Sequence, residues 1–260
     1  MMERINANGV EIAYEISGSG PPIVLCHGGE ADHQNFYNFT PILAQRFTVI
    51  NYDQRDTGES RNGDDAYTVK DLGKDVGALI EGLGLGRAHV FGTSVGGIIA
   101  QEAALTCPDQ VDHLILSVTW PGSEKHVSDE FYQFALSEKT PDQARAYRAM
   151  FFGTAFAEAH PDLVEEHMAR VMTTRTPEGR VRRGTAVFTH NVSDRLPSVR
   201  SPTLVLMGGD DRIILPSNPR KLAELIPGAK LSILEGVGHA TTLEAPELVA
   251  QEVMRFVGLD

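Results

Sequence analysis

Short apolar runs punctuated by glycine and proline alternate along the chain with longer stretches in which apolar residues recur every three or four positions. The first two runs, near Met2–Ile5 and Glu11–Ile16, flank Asn8-Gly9. That dipeptide favours a tight two-residue turn, so the pair predicts a hairpin. After the Gly/Pro loop Ser17–Pro22, Ile23-Val24-Leu25-Cys26 is apolar throughout, as a strand buried on both faces must be. A helix is expected around Phe36–Ala44, a strand over Phe47–Tyr52 and a polar loop over Asp53–Asp65. Leu72, Val76, Leu79 and Ile80 are spaced by three and four and predict a helix over Tyr67–Ile80, with Thr68 placed as its N-cap three residues before Asp71. Arg87–Phe91 reads as a strand, Val95–Cys107 as a helix stopped by Pro108, and Val111–Val118 as a further strand. Strands and helices alternating in this way build a parallel sheet covered on both faces.

The alternation breaks over Pro121–Arg200, where aromatic-rich helical pieces gather around Phe131, Tyr132 and Phe134, then Tyr147, Phe151, Phe152 and Phe156, then Leu163, His167 and Val171. It resumes with a strand at Thr203–Met207, a helix near Asn218–Leu225, a strand at Lys230–Leu234 and a final helix whose first turn holds Pro246. Residues 1–120 and 201–260 therefore read as two parts of one α/β domain, and 121–200 as a helical cap inserted between them.

Composition narrows the function classes. The 260 residues are 42% hydrophobic and 22% charged, an ordinary balance for a globular chain with a sizeable core. A formal charge of −12 lacks the positive footprint that nucleic acid requires, so no nucleic-acid partner is expected. The opening MMERINANGVEIAYE has no apolar signal core, and no stretch approaches the roughly 18 apolar residues of a membrane span. The expectation is a cytoplasmic protein with no membrane partner. Cys26 and Cys107 are the only cysteines, too few for a disulfide framework or a cysteine zinc site, and are expected to be reduced core thiols.

The sharpest chemical signal is Gly92-Thr93-Ser94-Val95-Gly96, lying between a predicted strand and a predicted helix. A G-x-S-x-G match alone is weak, and its strand–turn–helix setting gives it force. The tight turn lifts the serine above the carboxyl end of the sheet, while the helix N-terminus offers unpaired N–H groups to a developing anion. A phosphate loop would need a lysine here, and none occurs between Lys74 and Lys125. A serine hydroxyl needs a base, and a histidine base needs a carboxylate to hold it. His239 follows the strand Leu231–Leu234 in the glycine-rich run Gly236-Val237-Gly238. Asp210 and Asp211 follow the strand Thr203–Met207, and the spacing from its glycine favours Asp211. Of the other histidines, His89 lies inside a strand and His27 is expected to shape the first loop. Two backbone donors should serve the oxyanion, the amide of Val95 and that of Gly29 after the first apolar strand.

Together these segments resemble the α/β-hydrolase superfamily over nearly the whole chain. Tyr52-Asp53-Gln54-Arg55-Asp56-Thr57-Gly58-Glu59-Ser60 is similar to a segment of its esterase, lactonase and aminopeptidase branches, and its Arg-Asp-Thr-Gly form resembles bacterial polyketide methyl esterases. The resemblance implies a mostly parallel eight-stranded sheet flanked by helices, a helical cap after the sixth strand, no cofactor and no metal, and the triad Ser94, Asp211 and His239. Glu30 departs from the apolar residue or proline common after the glycine pair, and Pro216 stands one position later than is usual. The expected reaction is acyl transfer from a small, largely apolar or aromatic ester or lactone to water. Glu30, Trp120, Phe131, Phe134, Phe151 and Phe152 are the candidate substrate contacts, and Arg55 either meets a polar group or forms a structural ion pair. The same triad would serve a β-diketone C–C hydrolase or an iminopeptidase, the latter with Glu158, Glu165 and Glu166 as cap carboxylates. A catalytically silent ligand-binding protein is the reading from another class. Oligomeric state is left open.

Overall fold

The computed structural model describes residues 2–122, 126–136, 140–171 and 176–259, and of residues 134–136 the main chain alone. The hairpin forms as β1 (Glu3–Ala7) and β2 (Val10–Ser17). Asn8 and Gly9 both take positive φ at its tip, the conformation a type I′ turn requires. The other strands are β3 (Pro22–Cys26), β4 (Thr48–Tyr52), β5 (Ala88–Thr93), β6 (Val111–Ser117), β7 (Thr203–Gly208) and β8 (Lys230–Leu234). They make one eight-stranded sheet in the order β1-β2-β4-β3-β5-β6-β7-β8. Pairing is antiparallel from β1 through β2 to β4 and parallel from there on.

Both faces of the sheet are buried, and the period-2 alternation of strand side chains divides the core in two. Along β3, Val24 and Cys26 join the core under α2 (Val69–Gly82) and α3 (Val95–Thr106). Ile23 and Leu25 join the opposite core with Phe36, Phe91 and Val253, the last of these on the carboxyl-terminal helix Pro246–Val257. At the start of α2, Thr68 accepts the Asp71 N–H while the Asp71 carboxylate accepts the Thr68 N–H, a reciprocal capping box. The helix expected around Phe36–Ala44 is instead a 3₁₀ turn, His33–Phe36, followed by the short α1 (Thr40–Leu43). Pro41 has no N–H to give to a continuous helix and so sits in a new first turn.

Between β6 and β7 lie five α-helices of the described residues: α4 (Asp129–Leu136), α5 (Pro141–Ala149), α6 (Thr154–Ala159), α7 (Pro161–Val171) and α8 (Pro177–Phe188). They form the helical cap. The chain returns to the core with α9 (Ser217–Leu225), α10 (Thr241–Glu244) and α11 (Pro246–Val257). Among the described residues no helix is long and apolar enough to cross a membrane. Cys26 and Cys107 are both free thiols.

One buried group ties this fold to pH. His190 is 6% exposed, and its Nε2 has no hydrogen-bond partner among the described residues. Burial, reinforced by the charge of Arg195, pushes its pKa down to about 4. Glu102, on α3, is the carboxylate facing it, with Oε1 4.0 Å from Nδ1. Because the folded pKa lies below the unfolded one, the unfolded chain takes up the proton first as pH falls. The stability conferred by the neutral ring is therefore present above about pH 6.5 and lost progressively down to about pH 4, on the order of 3 kcal/mol in all. Urea midpoints measured from pH 7 to pH 4 should fall across that window, and His190→Gln should flatten the dependence. An unchanged slope in the variant would assign the acid sensitivity elsewhere.

Candidate active site

Ser94 stands at the junction of β5 and α3 with φ +53° and ψ −119°, a conformation that side-chain-bearing residues rarely adopt. The neighbouring glycines show why the turn can be so sharp. A Cβ on Gly96 would lie 1.9 Å from the carbonyl oxygen of Cys26, and one on Gly92 would lie 2.3 Å from that of Gly96. The end of β3, the end of β5 and the first turn of α3 thus cross at backbone contact. The Ser94 N–H donates to Ser117 O at 2.9 Å, and its own carbonyl accepts the Gly97 N–H and the Thr119 hydroxyl at 2.9 and 2.7 Å. The main chain is fixed from both sides, while the side chain makes no capping bond to α3 and opens into a cleft.

His239 opens onto the same cleft from the loop between β8 and α10. It is 6% exposed, and its Nδ1 lies 2.9 Å from Asp211 Oδ2. Of the two adjacent aspartates, Asp211 makes this contact, whereas Asp210 is exposed. The other Asp211 oxygen accepts the Ile213 and Ile214 N–H groups at 2.8 and 3.0 Å, so the carboxylate is held before it meets the ring.

The loop after β3 forms the facing wall. Gly28 N–H donates to Asn35 Oδ1 at 3.2 Å, while Gly29 lines the cleft, its Cα so close to Val95 that a Cβ there would lie 3.1 Å from the valine's Cγ2. Gly29 and Val95 are therefore close neighbours beside Ser94. His27 is inaccessible to solvent and holds the loop from below, its Nε2 accepting the Gln54 N–H at 3.2 Å and Nδ1 lying 3.0 Å from Gly28 O. The cleft encloses about 550 Å³ of open space, mouth included, and Ala31, Phe151, Met168, Val171 and Leu243 make its lining largely apolar.

Residues 21–246 match the family model described as alpha/beta hydrolase fold. The chain belongs to the α/β-hydrolase family. It is 32% identical over 220 residues to a putative carbamate hydrolase RutD of Caulobacter sp. (strain K31), covering 83% of this chain and 82% of that one. It is 30% identical over 270 residues to a proline iminopeptidase of Lactobacillus helveticus, covering 91% and 90%. Among solved structures, a thermophilic esterase from Thermogutta terrifontis superposes with a TM-score of 0.83 at 26% identity over 99% of this chain and 98% of that one.

The sequence-predicted wall residues of this α/β-hydrolase are placed unevenly. Glu30 and Phe151 line the cleft, and the Phe151 ring meets that of His239 edge-on at 5.9 Å. Phe131 stacks on Tyr147 and stands edge-on to Phe151, one layer back from the cleft. Phe152 is fully buried between the cap and α10, with Val164, Met168 and Leu243, and Trp120 is 3% exposed and stacked on His126. The Phe134 side chain lies outside the described residues. Arg55 faces away from the cleft in a buried two-point ion pair with Asp75, at 2.7 and 2.5 Å.

Glu244 was not flagged by the sequence. Its Oε2 accepts the Gly238 N–H and the Gly153 N–H, both at 2.9 Å, and so fastens the histidine loop to the cap. Burial pushes its carboxyl pKa up against the pull of those two donors. The Ala240 N–H adds a bond to Phe151 O at 2.6 Å. No local pattern marks such a residue, because its partners are backbone groups, one of them 91 positions away in the cap. As for cation ligands near the cleft, Asp32, His33 and Asp53 converge, but their atoms are engaged with one another and with main-chain N–H groups, including those of Gln34 and Glu59.

Proposed function

We propose that this α/β-hydrolase cleaves a carboxylic ester or lactone of a small, largely apolar substrate through an acyl-enzyme on Ser94. His239 takes the serine proton as the hydroxyl attacks the carbonyl carbon. Asp211 holds the ring in the tautomer that leaves Nε2 free to accept and supports the imidazolium that forms. The Gly29 and Val95 amides receive the oxyanion. Protonated His239 then donates to the leaving alcohol and, once neutral again, activates the water that releases the acid. The observation that carries the reading is the convergence in one cleft of a serine on a strained strand–helix turn and a buried histidine paired at 2.9 Å with Asp211. The apolar lining favours an acyl group without charge, and the modest volume favours a short one. Glu165, a candidate for gripping a substrate amino group, is already paired with Arg148 at 2.8 Å, which weighs against aminopeptidase use of the cap.

A panel of p-nitrophenyl esters of rising acyl length tests the assignment. Turnover is expected, with kcat/KM highest for short acyl chains and falling as the chain outgrows the cleft. Absence of ester and lactone turnover, with release of an amino-terminal residue from peptides, would replace the ester reading by the iminopeptidase one. Tight ligand binding with no turnover of any acyl compound would point to the silent binding protein.

A further inference from the structure

We propose that His89, Asp112 and His113 form a binding site for a divalent transition-metal ion, zinc in the first instance, at the end of the sheet away from the cleft. The site is built by an irregularity in the β5–β6 ladder. Ala88 pairs with Val111 and Val90 with Leu114, so His89 alone stands opposite both Asp112 and His113. In a regular strand, consecutive side chains point to opposite faces, and Asp112 and His113 could not both lie beside His89. The extra residue re-aims them, as bulges do.

The result is a convergence of lone pairs. Asp112 Oδ2 lies 3.3 Å from His113 Nδ1 and 3.5 Å from His89 Nδ1, and the three residues offer ligand atoms that all lie within 4.8 Å of one another. Zinc bonds of about 2.0–2.1 Å in a tetrahedron place neighbouring ligand atoms about 3.3 Å apart. His89 is 6% exposed, and among the described residues its Nδ1 has no hydrogen-bond partner, the 3.5 Å approach to Asp112 being too poorly directed to serve as one. Buried nitrogens are rarely left so. His113 can direct an Nδ1–H at the carboxylate, but His89 is not aligned to do so, whereas a metal ion between the three would engage all of them.

The surroundings support the same use. Arg87 lies 3.2 Å from the other Asp112 oxygen, which leaves Oδ2 turned towards the two rings. The Arg87 side chain is 58% exposed, so solvent screens its charge. Phe47 stands edge-on to His89, and Phe256 edge-on to His113, giving the rings an apolar backing. His113 and Asp112 reach solvent, so the site has an entry path and room for a water as fourth ligand. Two imidazoles and one carboxylate suit zinc, nickel and copper rather than magnesium or calcium. His89 is near the start of β5 and Ser94 follows its end, about 16 Å apart along extended chain. A metal here would fasten β5 to β6 without touching the acyl chemistry.

The test is calorimetric titration of tag-free, chelator-treated protein with zinc chloride at pH 7.5, paired with thermal melts and ester turnover. The variants are His113→Gln and Asp112→Asn, both at solvent-reaching positions, since His89→Gln alone could fail for want of folding. The parent is expected to bind one zinc ion, and each variant to bind at least about tenfold more weakly. Zinc at a hundredfold excess over Kd should raise the parent's Tm by about 5 °C or more and leave that of the variants unmoved, with ester turnover the same in all three. No binding by the parent up to millimolar zinc, or equal binding by parent and variants, overturns the proposal. Neither result bears on the Ser94 assignment, which turnover reads separately.

Discussion

Replacing Ser94 by alanine is expected to lower kcat for a short-chain aryl ester by about a million-fold, while the protein folds and melts as the parent does. The size follows from the role proposed for the hydroxyl, that of forming the covalent bond to the acyl group. What survives should be the rate that the oxyanion donors and substrate positioning give to direct attack by water, about 10³–10⁴ over the uncatalysed reaction. Stability should hardly change. The Ser94 side chain makes no capping bond, and alanine tolerates φ +53° no better or worse than serine does. Steady-state kinetics and thermal melts on both proteins check the two halves together. His239→Ala should cost a similar factor, and the double variant no more than either single one, because the pair acts as a unit. A Ser94→Ala protein that kept even one hundredth of the parent's turnover would remove the acyl-enzyme from the mechanism.

What the sequence reveals depends on whether the information is local. Strands β3 to β8 and helices α2, α3 and α11 announce themselves through uninterrupted apolar runs or three-and-four spacing, and the structure has them at those places. The Ser94 turn was legible for the same reason, since strand, glycines and helix are contiguous. The helix expected over Phe36–Ala44 failed to form as one piece because Pro41 imposes a boundary that apolar periodicity does not register. The cap shows the limit most plainly. Phe151 and Phe152 are adjacent and equally apolar, yet one lines the cleft and the other is buried between the cap and α10. Which way each faces is fixed by packing across elements, and composition carries no record of it. Glu244 and the Arg55–Asp75 pair were hidden likewise, since Gly153 and Asp75 lie 91 and 20 positions from the side chains they bind.

Asp211→Asn is expected to lower kcat by about ten-thousand-fold, and Asp210→Asn by no more than about threefold. The sequence offered two adjacent carboxylates, and geometry separates them. Asp211 Oδ2 lies 2.9 Å from His239 Nδ1, whereas the Asp210 side chain is exposed. Asparagine at 211 can still accept the Ile213 and Ile214 N–H groups through its Oδ1, so the loop keeps its shape. The change then falls on the imidazole. With an amide N–H in place of a carboxylate oxygen facing Nδ1, the ring is driven to carry its proton on Nε2, where it can no longer accept from Ser94. The imidazolium formed during attack also loses its neighbouring negative charge. The loss should therefore appear in kcat with KM little altered, and circular dichroism and melting should match the parent. Asp210→Asn removes a solvated charge and should change kcat only through weak long-range electrostatics. The reverse pattern, with Asp210→Asn crippled and Asp211→Asn active, would mean that the loop rearranges when substrate binds and that the working carboxylate is the neighbour.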